Sequence, residues 1–540
     1  MFNASTQVRF AVLVEGNLLK KWQVDAIQDL IDSGTADCIQ IIENKGEESY
    51  KSIPLSLGYR FIERFTRNSG PLEVIDISTL FPEAKRIAVQ AEKKGSSNYF
   101  PKQAIDTLKP LQLDFILRFG FGILKGDILS LPKYGIWSFH HGNPKEYRGG
   151  PAGFWEIYEK NPVTGAILQG IGEKLDQGVL LKEGFYQTID HSYRANLHHV
   201  LEESKTWPTA IVRQIISQGS LSTSPIQSKA KIYKTPSNWQ AFLFLVQVFK
   251  NKIKFHFESL FMAEKWNIGI VNQNIKEVIE GELAPIQWIK KAPRHEYYAD
   301  PFALSKDLIT MEVFSYKTNK ASIQQLHVGK ENSPEPLISK RTHLSYPYTI
   351  TNEQKTYILP ENYRNNVLSL YELENGEITN EVGILQGSWI DPTLFQHEGR
   401  WWLFCTPKAS PKEKLSIFYS DKVEGPYKPH EQNPVLTDIR SARPGGTPFV
   451  KDGALFRPTQ NCSKTYGGSI IIKRIEQLTP SLFKESLAKE ILPASNSKYN
   501  KGLHTLSAFG NKILVDGKRY SFDIYNFKAQ LSAKLNRKSS

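Results

Sequence analysis

The chain has 540 residues, with 68 Lys+Arg against 55 Asp+Glu and a formal net charge of +13. Single hydrophobic cores stop growing at about 250–300 residues, so this length excludes a one-domain protein. A content of 40% hydrophobic and 23% charged residues excludes a disordered chain, and three scattered cysteines exclude a disulfide framework.

No apolar run reaches the ~18 residues of a membrane span. The N-terminal MFNASTQVRFAVLVEG has no basic start and runs into a polar turn. It is predicted as a first strand rather than a signal peptide, and the protein as cytoplasmic. The charge is uneven: 26 basic and 25 acidic residues up to position 230, and 42 and 30 beyond it. A basic second part favours an anionic partner such as a phosphorylated glycan, a nucleotide sugar or an anionic membrane surface, unless it serves solubility alone. The near-neutral first part argues against nucleic acid.

In chain order, VRFAVLVEGN (8–17) reads as a buried strand, WQVDAIQDLIDSG (22–34) as a helix ended by Gly34, and CIQIIEN (38–44) as a second strand. LDFILRF (113–119) is a later strand, with a short helix expected around Leu124–Leu129. Strands alternating with helices predict a parallel sheet covered on both faces. The Ser-rich SQGSLSTSPIQSKA (217–230) marks a linker, so a first domain is placed at 1–220 and a linker with a connecting helix at 221–263. That helix, NWQAFLFLVQVFKNKIKFHFESLF (238–261), is crowded with aromatics and lysines, which suits a membrane surface or a clamp between domains. From Trp266 onward short strands and turns alternate, giving an all-β domain at 264–528 and a basic tail at 529–540. Three related phrases, YYADPFALSKD (297–307), GSWIDPTLFQHEGRWWLFCT (387–406) and PGGTPFVKDGALFRPTQ (444–460), read as repeated blades.

Residues 114–181 carry Gly135, His140, Pro144, Arg148-Gly149, Pro151, Thr164-Gly165 and Leu175-Asp176-x-Gly178 in one register. This run resembles the formyltransferase family, which includes methionyl-tRNA and sugar N-formyltransferases. The resemblance implies a Rossmann-like α/β domain that moves a formyl group from 10-formyltetrahydrofolate to an amine. It implies His140 as the proton-handling donor and Asp176 as its partner. Arg148, Gly149, His141 and Asn143 would shape the substrate site, and Phe119, Gly120, Phe121, Gly122, Ile123 and Leu124 would line the cofactor. The family Asn falls on Ser138, whose shorter side chain displaces a donor. Loss of one oxyanion donor costs about 10²–10³ in turnover.

The blade phrases resemble five-bladed β-propeller glycosidases of the arabinanase, levansucrase and invertase group. They also resemble the region preceding the transferase domain of plant glucosamine inositolphosphorylceramide transferases. The resemblance implies inner-strand carboxylates at Asp300, Glu312 and Asp391; Arg443, Arg457, Gln460, Tyr466 and His504 are candidates to line the pocket, since Arg and aromatic groups recognise phosphates and sugar faces. Asp-Pro steps also shape turns without any chemistry. No metal is expected.

The leading expectation is a two-part enzyme of glycan or nucleotide-sugar metabolism that formylates an amino sugar, with the propeller holding or processing the saccharide. Two alternatives stay open. One is a carbohydrate-binding scaffold of a cell-envelope pathway with a degenerate first domain, and the other is a propeller-based glycosidase or glycosyltransferase.

Overall fold

A computed structural model describes residues 7–45, 56–66, 68–173, 178–221, 223–330, 333–338, 340 and 342–536. The chain divides into two compact units, residues 1–252 and 253–540.

The first unit is built on an eight-stranded sheet. Its order is Ser224–Pro225, Val179–Gln187, Val163–Gly170, Ile136–His140, Phe115–Arg118, Val8–Val14, Ala36–Asn44 and Lys85–Val89. The last five strands are parallel, and the Val163–Gly170 side is antiparallel, so the sheet is mixed rather than parallel throughout. Side chains of a strand alternate between faces. Phe10, Val12 and Val14 therefore enter one core while Ala11 and Leu13 enter the other. This two-sided burial explains why VRFAVLV reads as a continuous apolar run. Phe115 stacks between Phe10, at 5.1 Å, and Trp137, at 3.8 Å, which ties neighbouring strands together. The predicted first helix forms at Lys21–Asp32; the Lys20 amide donates to Gln23 Oε1, and Gly34 at φ 66° ends it.

Three expected boundaries differ. Around Leu124–Leu129 there is a short strand, Ile123–Lys125, and a 3₁₀ turn, Asp127–Leu129, instead of a helix. Residues 221–237 are not a free linker. Ser224–Pro225 pairs with Val179 and Leu180, and Ile232–Tyr233 pairs with Arg148–Gly149, so short ladders stitch this polar stretch into the first unit. The basic tail begins as a helix, Ile524–Asn536, because Asp523 Oδ1 caps the amides of Tyr525 and Asn526. The connecting helix is present as Asn238–Phe261, and the division between the units falls inside it.

Among the described residues the second unit contains five antiparallel sheets, four of four strands and one of five. Four of them follow the chain: 296–338, 345–386, 389–437 and 449–491. The remaining sheet joins the two ends of the unit, since Ala263–Val271 pairs along its length with Lys512–Ser521. In three sheets the first strand bulges at an X-Pro step, between Ala299 and Phe302, Ser345 and Tyr348, and Ile390 and Thr393. The residue before each proline is left-handed: Asp300 at φ 49°, Tyr346 at 43° and Asp391 at 47°. Such positive φ is rare for a bulky residue and costs about 1–3 kcal/mol, so the surroundings must hold it.

Candidate functional site

In the first unit the C-terminal ends of adjacent parallel strands bring together Glu15, Arg118, Ser138 and His140. Ligands of open α/β sheets bind at this edge. Ser138 lies directly opposite Arg118 in the ladder, so both project from one face, and Arg118 Nη1 donates to Ser138 Oγ at 2.9 Å. Arg118 also donates to the carbonyl of Gly122, while its Nε is buried with no partner among the described residues. Burial lowers the Arg118 pKa and the nearby Glu15 opposes the shift. His140 Nε2 lies 3.0 Å from the Tyr147 carbonyl. A carbonyl only accepts, so Nε2 carries the proton and Nδ1 is the nitrogen able to take one.

The other predicted residues of this unit have varied fates. Two residues from Ser138 along an alternating strand, His140 shares its face, whereas His141 turns the opposite way. The His141 ring stands edge-on to Trp22, stacks on Phe139 and meets Ser204 Oγ at 3.1 Å. Burial, with His140 adjoining, lowers its pKa to about 3, so the ring is neutral, and it stands on the face away from Ser138. Asn143 builds a turn, its Oδ1 accepting from the Lys145 amide. Arg148 Nη1 donates to the Ala230 carbonyl. A Cβ at Gly149, φ 85°, would meet the Tyr233 carbonyl oxygen at 2.2 Å, so only glycine allows that ladder. Asp176 lies outside the described residues.

Of the expected cofactor segment, Phe121 and Leu124 are core side chains and Phe119 packs against the core. The Phe121 amide is held by Glu15, its carbonyl by Asn98 and the Gly122 carbonyl by Arg118. Gly120 is pressed against Val14 and Glu15, which leaves Ile123 as the exposed side chain of the six. Sequence reasoning missed Arg118, whose signal was a cation closing an apolar strand, and Glu156. Glu156 is 1% exposed with Oε1 unpartnered among the described residues, and burial raises its pKa to about 8. It lines a cavity of about 10 Å³ with Arg148, Pro151 and Trp155, room for about one water.

In the second unit Asp300, Glu312, Asp391, Arg443, Gln460, Tyr466 and His504 belong to one buried polar network. Asp391 takes Arg443 through Nε at 2.6 Å and Nη2 at 3.1 Å, and Gln460 Nε2 at 2.6 Å. Arg443 reaches on to Tyr466 Oη at 3.2 Å. His504 stacks on Trp266 at 3.8 Å; its Nδ1 meets Asp516 Oδ2 at 2.6 Å, and its Nε2 faces Asp300 Oδ1 at 3.8 Å. Asp516, unrecognised in the sequence, also accepts from the amides of His504, Thr505 and Asp300. Asp300, His504 and Asp516 could in distance terms share a metal. Four bonds already use the acceptor positions of Asp516, so it orients the imidazole instead of ligating. Glu361, equally unrecognised, accepts from the Asp391 amide at 3.2 Å.

Burial governs the protonation of this network. It raises the Asp300 pKa to about 6 against the pull of His504. It raises Glu361 to about 8, with Asp391 adding to the effect. Glu312, under the Tyr297 hydroxyl, is pushed well above the carboxylate range by burial and then by Asp300. Burial alone would lower His504, but Asp516 and Asp300 outweigh it and raise its pKa. Arg457 departs from expectation. It pairs with Glu485 at 2.7 Å and with the Ser441 carbonyl, bracing its own sheet, because it projects from the same face as Lys473 and Glu485.

Residues 296–506 match the family model described as glucosamine inositolphosphorylceramide transferase 1, N-terminal. Glucosamine inositolphosphorylceramide transferase 1 of Oryza sativa subsp. japonica is 32% identical over 206 residues, 35% of this chain and 27% of that protein. Methionyl-tRNA formyltransferase of Clostridium tetani is 33% identical over 104 residues, 19% of this chain and 34% of that protein. The matched stretches thus span about a quarter to a third of these relatives. A solved thermostable family-43 glycoside hydrolase is 15% identical, with a TM-score of 0.29, over 37% of this chain and 77% of its own.

Proposed function

We propose that the first unit transfers a formyl group from 10-formyltetrahydrofolate to the amine of an amino sugar or nucleotide sugar. We read the second unit as a five-bladed β-propeller that binds or processes the saccharide. The observation that carries the first part is Arg118 on Ser138, beside His140, at the ligand-binding edge of the sheet. The orphaned Arg118 Nε fits an acceptor oxygen. When bound, 10-formyltetrahydrofolate would supply an activated formyl carbon. Arg118 and Ser138 would hold the formyl oxygen as negative charge develops on it, the guanidinium replacing the donor that serine displaces. His140 Nδ1 would take the proton that the attacking amine must lose.

The test uses the full chain, 10-formyltetrahydrofolate and a panel of amino sugars and their nucleotides, following tetrahydrofolate release. Turnover should fall about 10²–10³-fold in Arg118→Ala and about 10²–10⁴-fold in His140→Ala. Absence of turnover with every amine overturns the reading.

A second reading rests on the His504–Asp516 dyad facing Asp300. An oriented imidazole against a carboxyl with its pKa raised to about 6 has the elements of acid–base chemistry on a glycan. Glycan turnover lost in Asp300→Asn and retained in His140→Ala would place catalysis in the second unit.

A further inference from the structure

The network around Asp300 and Asp391 is buried, and the second unit also holds an open groove of about 870 Å³. Six cationic side chains line it, Lys265, Lys290, Lys291, Arg294, Lys330 and Arg519, against the single carboxylate of Glu296. Lys265 pairs with Asp523 at 3.0 Å. Lys290, Lys291 and Arg294 are exposed and make no ion pair with a described residue. Arg519 is half-buried over the Tyr499 ring, with its Nε buried and unpartnered among the described residues. Like charges confined to one concavity repel one another, and an anion relieves that repulsion while focusing the field.

We propose that this groove binds a phosphate ester of a saccharide or polyol. Arginine and lysine together suit a phosphate's charge and its several acceptor oxygens. The volume lies within the range of about 300–1,000 Å³ typical of small-molecule sites, far more than a bare phosphate fills. Tyr298, Tyr499 and Phe522 supply apolar wall for the organic part. Trp266 lines the groove and also stacks on His504, so the site adjoins the buried network without sharing its carboxylates. The proposal does not depend on formyl transfer.

The test is calorimetry of the full chain with glucose 1-phosphate and UDP-glucose against glucose. It is run beside co-sedimentation with phosphatidylcholine vesicles with and without phosphatidylinositol. The phosphate-bearing ligands should bind, and binding should weaken as ionic strength rises. Lys290→Glu/Lys291→Glu should weaken binding at least about tenfold, and the milder Lys290→Gln/Lys291→Gln in the same direction, the charges being the main attraction. Lys484→Glu, on an exposed strand position outside the groove, should bind as wild type. Binding of the soluble esters identifies a free sugar phosphate or nucleotide sugar as ligand, and binding confined to phosphatidylinositol vesicles identifies a lipid headgroup. Phosphate-bearing ligands that bind no better than their neutral counterparts in both formats, or groove variants that bind as wild type, overturn it.

Discussion

Both units bury carboxyl groups, Glu156 in the first and Glu361 in the second. Glu361 shows the consequence for stability. Its folded pKa of about 8 lies above the ordinary value of 4.5, so the folded state keeps a proton that the unfolded chain releases. Stability therefore falls as pH rises between those two values, the sign opposite to that of a salt-bridged carboxylate. Glu361→Gln keeps an acceptor for the Asp391 amide and removes the titration. Its melting temperature should decline less than that of wild type between pH 5 and 8; parallel declines would refute the assignment. The left-handed Asp300, Tyr346 and Asp391 belong to the same scale. Tyr346 Oη accepts from the Gly446 amide and bonds Thr393 Oγ1, contacts that hold an unfavourable backbone in place. The two Asp-Pro steps were visible in the sequence. Tyr346-Pro347 is their counterpart in the intervening sheet and passed unnoticed, because tyrosine lacks the carboxylate that drew attention to the others.

At the scale of elements, apolar run lengths and turn residues predicted well wherever burial is two-sided. The strands Val8–Val14, Ala36–Asn44 and Lys512–Ser521 follow directly from their runs. Prediction failed where partners decide. The polar stretch 221–237 reads as a linker until Ile232–Tyr233 is seen pairing with Arg148–Gly149. The strand Lys512–Ser521 closes the second unit against Ala263–Val271, so its loss leaves both a bare edge and an exposed core face. A chain ending at Phe509 should retain the first unit's thermal transition and lose the second unit's cooperative one. Retention of both transitions would show that the closing ladder is dispensable.

For the whole molecule, the hydrophobic clusters segregate by unit: two of the larger ones lie within residues 8–215, and those around Phe302 and Val271 lie within 271–515. Separate cores predict separable unfolding. Trp137→Ala removes a fully buried indole from the first unit and should destabilise that unit by about 3–5 kcal/mol. Calorimetry should show one transition lowered and the other unmoved; a common shift would mean the units unfold together. By itself the sequence determined that there is more than one domain and that an α/β part precedes an all-β part, and its family resemblances marked His140, Asp300, Asp391 and His504 as candidate site residues. The domain reading rests on run length and periodicity, which are properties of the chain alone, and the candidate residues on resemblance to known families. The tertiary structure decided the pairings: Arg118 on Ser138, Asp516 on His504, Glu361 on Asp391, and Arg457 on a sheet brace. These depend on ladder register and on which face a side chain takes, and residues up to 216 positions apart meet there, as Asp300 and Asp516 do, with no local signal to announce the contact.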